Sequence, residues 1–185
     1  MKEIKRMTPE KTGLLVVDIQ DRMMRVIHGN DEVVRNTVLL LKTAQALHMP
    51  VVATTQYVAR IGALLPEISA EIPEVTALDK LEFDCFANQA ILEKIRSYEK
   101  IDTWIVCGVE THICMYQTVF GGMSEGYTMW VPADAVSSRT PANYETGLER
   151  IRQIGGIVGN TEMIIYELLH RAGTPEFKSL LPFLK

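Results

Sequence analysis

The 185-residue chain has few of the features that mark secreted, membrane or nucleic-acid-binding proteins. Its three cysteines are an odd number without regular spacing, which argues against both a disulfide framework and a zinc ribbon. No apolar run approaches the ~20 residues that cross a bilayer, and the N-terminal "MKEIKRMTPEK" lacks the apolar core of a secretory leader. The net charge of −4 offers no basic surface to nucleic acid. We therefore expect a cytoplasmic protein with free thiols and no membrane or nucleic-acid partner.

Strand-like and helix-like segments alternate along the chain, without a repeat or an internal linker. The apolar runs "GLLVVDIQ", "VVATTQY" and "TWIVCGV" predict strands that are buried on both faces. Residues 32–48 and 112–125 have helical spacing, and residues 58–73 predict an excursion loop. Thr140 and Thr161 are predicted helix caps. The order predicts one α/β domain over residues 1–185, a three-layer α/β/α sandwich with a mainly parallel, Rossmann-like sheet.

Polar side chains follow several of these strands, at the edge where parallel sheets bind ligands. Asp18 and Gln20 end the first strand, Gln56 and Tyr57 the second, and Lys80 follows a short third segment. Taken alone, such an aspartate is usually structural and such a lysine usually a solvated charge. Their convergence with a thiol at one edge predicts a catalytic site.

Among the three cysteines, Cys114 is the predicted nucleophile. It lies three residues after Thr111, a candidate N-cap, so the helix dipole is expected to favour a thiolate and lower the pKa of the thiol. Cys107 lies inside a predicted strand, so we expect it to be an unreactive core residue. Cys85 lies close to Lys80, but no helix N-terminus is clearly aimed at it. His112 stands two positions from Cys114 and does not face it on a helix, so it is predicted to be a surface residue.

Three motifs make the chain resemble the isochorismatase-like cysteine hydrolases, a superfamily that includes nicotinamidases. "LLVVDIQ" is similar to the first-strand motif with the catalytic aspartate, and "DKLEFDCF" to the K-x-x-F-x-x-F segment. "VCGVETHICM" resembles the G-V-x-T-x-x-C-V signature, with methionine in place of the final valine. The motifs keep their order, and the similarity extends over nearly the whole chain. It is closest to the branch described as isochorismatase domain-containing proteins.

The resemblance implies a catalytic triad of Asp18, Lys80 and Cys114. It also implies a cis peptide before Glu110, which aims the Glu110 amide, with that of Cys114, at an oxyanion hole. Gln20, Gln56 and Tyr57 are the predicted substrate-binding residues.

One departure from the family pattern concerns metal. Nicotinamidases carry a D-x-H metal motif after the second strand, where this chain has "TTQYVAR". The other histidines show no ligand spacing, so we expect neither a metal nor a cofactor, and we expect nicotinamide to be a poor substrate.

The resulting interpretation is a cysteine hydrolase of a C–N bond in a small amide, acting as a homo-oligomer. Two alternatives remain open. One is a vinyl-ether hydrolase of the isochorismatase type, driven by acid catalysis through Asp18 without need of a thiol. The other is a non-enzymatic binding protein on the same fold.

Overall fold

A parallel sheet forms the centre of the computed structural model, which describes residues 6–184. The first five residues of the N-terminal "MKEIKRMTPEK" and Lys185 lie outside this range. Within it the sheet has seven strands in the order β3-β2-β1-β4-β5-β7, and β6 pairs separately with the end of β4. Every pairing between these strands is parallel. The strands are β1 (Thr12–Val17), β2 (Val51–Gln56), β3 (Leu78–Lys80), β4 (Thr103–Val109), β5 (Thr128–Pro132), β6 (Val136–Ser137) and β7 (Ile157–Gly159).

Helices cover both faces of the sheet, so the predicted three-layer α/β/α architecture is confirmed. One core cluster packs α2, α8 and α9 on the sheet, and the other packs α5, α6 and α7 on the opposite face. Because β1 and β4 are buried along their whole length, both are apolar on both faces. The helices are α1 (Asp21–Met24), α2 (Asn30–Ala46), α3 (Val58–Ile61), α4 (Pro66–Ser69), α5 (Gln89–Arg96), α6 (Tyr116–Ser124), α7 (Pro141–Ile154), α8 (Thr161–Leu169) and α9 (Pro175–Leu180).

Some helices and helix caps differ from the sequence predictions, because tertiary contacts determine the local backbone conformation there. The excursion loop at 58–73 holds two short helices, α3 and α4. Thr140 caps α7 as predicted, by accepting a hydrogen bond from the Asn143 amide. The cap predicted at Thr161 is wrong, because the Asn160 side chain caps α8 and the Thr161 hydroxyl bonds Asp134 instead.

The C-terminal segment packs on its own domain. Leu180 of α9 is buried in the core beside α2, and Phe177 and Leu184 pack against it. This apolar segment therefore supplies no argument for oligomerisation. Over residues 6–184, none of the helices combines the length and the hydropathy needed to cross a membrane.

Candidate active site

A buried ion pair lies at the carboxyl edge of the sheet. The Lys80 Nζ donates to Asp18 Oδ2 at 2.6 Å, and neither side chain has any exposed surface. Thr54 Oγ1 donates to the other Asp18 oxygen at 2.8 Å. Burial is the largest single influence and lowers the pKa of Lys80, but the charge and hydrogen bond of Asp18, together with Cys85 and Cys114, jointly outweigh it and raise that pKa. The ammonium is therefore charged at neutral pH.

The sheet order explains how residues 62 positions apart form this pair. Asp18 follows β1 and Lys80 ends β3, with β2 between them. The Gln56 side chain, at the end of β2, bridges the gap: its Oε1 accepts from Lys80 Nζ at 2.7 Å. Its Nε2 donates to the Leu81 carbonyl at 2.9 Å, so the amide is held at both ends. Gln56 thus fixes the position of the ammonium.

Gln20 holds the backbone beside this pair. Its fully buried side chain accepts from the Gln56 amide at 2.7 Å and donates to the carbonyls of Gln56 and Gly62. Since the amides of both glutamines bond protein groups, direct contact with substrate has no support in this geometry. For Gln20 and Gln56, substrate binding stays a prediction.

Tyr57 is the most accessible of the three predicted substrate-binding residues, with 44% of its surface exposed. It caps the start of α3 with a left-handed backbone conformation (φ 45°), and its amide donates to the Lys80 carbonyl. It is therefore anchored next to the ion pair while its side chain meets solvent. Its contact with substrate also stays a prediction.

The turn after β4 is built around Gly108 and Glu110. Gly108 has φ 125°, and a Cβ there would lie 1.9 Å from the Val17 carbonyl oxygen, so only glycine allows β4 to approach β1 this closely. The peptide between Val109 and Glu110 is cis, as the family resemblance implies. Within residues 6–184, the Glu110 amide donates to no protein acceptor, which leaves it free for a ligand.

The helical turn that carries Cys114 differs from the prediction. Residues Thr111–Met115 form a π turn that leads into α6, and Glu110 occupies the N-cap position without a side-chain cap. Thr111 is fully buried and its hydroxyl has no partner in the described part of the chain, so the cap predicted there is wrong.

The predicted low pKa of Cys114 is also wrong. Burial and the adjacent charge of Asp18 raise the pKa of this thiol to about 12, although Lys80 acts in the opposite direction. The nucleophile is therefore a neutral thiol at rest, and it needs a base. Burial raises the pKa of Cys85 and of Cys107 to about 12 as well. Cys114 is distinguished by access: it is 4% exposed, whereas the other two have no exposed surface.

A second ion pair near the turn was missed by sequence reasoning. Glu110 Oε2 accepts from the Arg139 amide at 2.9 Å and from Arg139 Nε at 3.1 Å. His112, predicted to be a surface residue, is half-buried with its Nδ1 3.0 Å from Ser138 Oγ. The partners are more than 25 positions apart, and only the pairing of β6 with β4 brings them together. No local sequence signal announces such a contact.

Comparison with known proteins places this geometry in a family. Residues 12–163 match the isochorismatase domain. The chain is 34% identical to the secreted isochorismatase effector Isc1 of Phytophthora sojae, with all of this chain and 89% of that protein aligned.

The chain belongs to the isochorismatase family. Two solved structures share the fold of this family member. The MAR1 ribonuclease of Caenorhabditis elegans has a TM-score of 0.90 and 25% identity, over 97% of this chain and 92% of that one. The YcaC gene product of Escherichia coli, described as an octameric hydrolase of unknown specificity, has a TM-score of 0.92 and 19% identity, over 100% and 91%. Membership of the isochorismatase family, which rests on the domain match and on the 34% identical relative, makes the protein a family hydrolase.

Proposed function

We propose that the protein is a cysteine hydrolase that cleaves the C–N bond of a small amide, without a metal or cofactor. The observation that carries the proposal is the buried Lys80–Asp18 pair, whose charges both act on the Cys114 thiol. A buried pair of charges costs free energy of folding, and such pairs are often found at functional sites. This pair acts on Cys114, the most accessible of the three thiols, and is therefore well placed for catalysis.

Asp18 is the general base in this mechanism. Because the thiol of Cys114 is neutral at rest, Asp18 takes its proton as the sulfur attacks the substrate carbonyl carbon. Asp18 then gives that proton to the leaving nitrogen as the C–N bond breaks, and an acyl thioester remains on Cys114. Water attacks the thioester, again with Asp18 accepting a proton, and the thiol and a carboxylic acid are released. Lys80 orients Asp18 and stabilises negative charge on the sulfur.

The oxyanion of each tetrahedral intermediate is held by the amides of Glu110 and Cys114. Glu110 directly precedes the π turn and Cys114 is its fourth residue, and within residues 6–184 the Glu110 amide has no protein acceptor. Preorganised amide donors of this kind are typically worth a factor of about 10²–10³ in kcat each. This arrangement activates a carbonyl by hydrogen bonding alone.

Vinyl-ether hydrolysis is the second candidate, and one observation favours it: the relative that is 34% identical is described as an isochorismatase. In that reaction Asp18 would protonate the substrate, and no bond to sulfur would form. The two chemistries therefore differ in whether Cys114 is needed.

Mass spectrometry of the intact protein separates the two candidates. Protein that is acid-quenched with acetamide, benzamide or p-nitroacetanilide is expected to carry an acyl group on Cys114, whereas nicotinamide, an expected poor substrate, should give little adduct. The Cys107→Ala variant, changed at a buried thiol in the other core cluster, should acquire the same adduct, whereas Cys114→Ala should acquire none. A wild-type protein without adducts, together with a Cys114→Ala variant that still hydrolyses isochorismate, would refute the amidase and establish the ether hydrolase.

We also propose that the protein is a homo-oligomer in the cytoplasm. Leu81, Phe83 and Phe120 are each more than half exposed, and the first two lie within three residues of Lys80 in the chain. For the assembly, the E. coli structure of the same fold is described as octameric. For the location, the P. sojae relative is described as secreted, which differs from the cytoplasmic location proposed here. Light scattering at micromolar concentration tests the assembly, and cell fractionation tests the location.

A further inference from the structure

The carboxylate of Glu110 lies where a negative charge should hinder the proposed reaction. Because Glu110 would supply an amide to the proposed oxyanion hole, its carboxylate belongs to the same residue that would face the negative charge of the intermediate. That carboxylate is only 7% exposed, so water does little to screen it. In the part of the chain that the structure describes, its only hydrogen-bond partner is Arg139.

The backbone that leads into Arg139 is held in place independently of Glu110. Ser138, directly before it, has its hydroxyl 3.0 Å from His112 Nδ1, and its carbonyl accepts from the His28 amide at 3.0 Å. Ser137 Oγ donates to the His28 carbonyl at 2.6 Å. The loop after β6 is therefore tied both to the π turn and to the segment before α2. The guanidinium therefore reaches Glu110 from a backbone that is fixed by these bonds.

From this geometry we infer that Arg139 is a positioning residue for the oxyanion hole: it neutralises and orients Glu110. The inference rests on the proposed function, since it concerns the same hole. Two hydrogen bonds converge on one oxygen of Glu110, and they act separately. The bond from the Arg139 backbone amide orients the side chain, and the guanidinium Nε adds the compensating charge.

Because one bond comes from the Arg139 backbone and the other from its side chain, a substitution can remove the second and keep the first. Arg139→Gln removes the positive charge but keeps the backbone amide, so Glu110 stays in place as an unpaired, buried carboxylate. We expect kcat for p-nitroacetanilide to fall about tenfold, with KM changed less than twofold, because the repulsion acts on the oxyanion and not on bound substrate. The double variant Glu110→Gln/Arg139→Gln, which lacks both charges, should recover to within threefold of wild type. Arg139→Lys should lose less than Arg139→Gln.

A matched control comes from the Arg96–Glu125 pair. The Arg96 side chain is 58% exposed, close to the 56% of Arg139, and it pairs with a glutamate at the far end of α6. Arg96→Gln should leave both kinetic constants unchanged. Far-UV circular dichroism and urea unfolding establish that each variant is folded; if Arg139→Gln does not fold, Arg139→Lys and the double variant carry the comparison.

Release of p-nitroaniline and the mass of the acylated protein are followed together. An Arg139→Gln variant as fast as wild type would overturn the inference, and so would a double variant as slow as Arg139→Gln alone. In both cases the wild type still acylates Cys114, so the proposed function stands. A wild-type protein that releases no p-nitroaniline and gains no acyl group at Cys114 overturns the proposed function and, with it, this inference.

Discussion

Removal of the Lys80 ammonium should destabilise the protein strongly. Lys80→Met keeps the aliphatic chain and roughly the volume, but it deletes the donor to Asp18 Oδ2 and to Gln56 Oε1. Both acceptors are buried, Asp18 completely, so Asp18 would remain as a buried charge whose side chain keeps the hydrogen bond from Thr54. Breaking one side of a buried ion pair typically costs about 3–5 kcal/mol. We expect the free energy of unfolding in urea, followed by far-UV circular dichroism, to fall by that amount.

Two further variants test the cause of this loss. Asp18→Asn/Lys80→Met carries no buried charge, so we expect it to be more stable than Lys80→Met by about 2 kcal/mol. Lys42→Met breaks a Lys–Glu71 contact of 2.8 Å whose side chains are about one quarter exposed, and it should cost less than about 1 kcal/mol. A Lys80→Met protein within 1 kcal/mol of wild type, or a double variant no more stable than the single one, would refute the reasoning.

The same pair gives a pH dependence with a defined sign. The pKa of Lys80 in the folded protein is raised above its ordinary value of 10.5. The folded state therefore holds this proton more tightly than the unfolded state, and the stabilisation is fully present below pH 10.5. It is lost as the pH rises through the raised pKa. The stability difference between wild type and Lys80→Met should accordingly be constant near neutral pH and shrink only above pH 10.5.

Three other predictions follow from the site and its supports. Cys114 should be alkylated by iodoacetamide before the other two cysteines, because it is the only one of the three with exposed surface. The reaction should be slow at pH 7 and faster as the pH rises, since the thiolate is the reactive form and the pKa of this thiol is about 12. Fast labelling at a rate independent of pH would contradict this. Gly108→Ala should prevent folding because its Cβ meets a backbone carbonyl at 1.9 Å, whereas Gly29→Ala, with φ 63° and open space, should cost about 1–2 kcal/mol in urea unfolding. Within residues 6–184 no three His, Cys, Asp or Glu side chains converge as metal ligands, so EDTA should leave the acylation rate unchanged. Activity that is lost in EDTA and restored by zinc would refute this prediction.

Strand positions could be predicted from the sequence because burial on both faces imposes a simple pattern. The run "TWIVCGV" coincides with β4 at both ends, and the predicted strand ends bring Asp18 and Lys80 into contact. That contact follows from parallel order alone, since all carboxyl ends of a parallel sheet share one edge. The elements that carry the ion pair were therefore accessible to sequence reasoning, although their hydrogen bonds were not.

The electrostatics of the site could not be predicted, because they depend on how deeply each group is buried. A helix dipole at Cys114 was expected to lower the pKa of the thiol, but burial and Asp18 outweigh it. The π turn could not be distinguished from an ordinary first helical turn by its residue types. Likewise, the pairing of Glu110 with Arg139 depends on β6, and this strand of two residues is too short to show a recognisable hydrophobic pattern in the sequence.

The ends of three neighbouring strands share a backbone feature that ties fold to site. Asp18 after β1, Tyr57 after β2 and Gly108 in β4 all have positive φ, at the same edge of the sheet. For a residue other than glycine this conformation costs about 1–2 kcal/mol, so contacts must hold it in place. Asp18 is held by its bond to Lys80 and by its amide, which donates to the Thr54 carbonyl; the Tyr57 amide donates to the Lys80 carbonyl. Lys80 therefore stabilises two of these turns at once, one through its ammonium and one through its backbone carbonyl, at the edge where the chemistry is proposed.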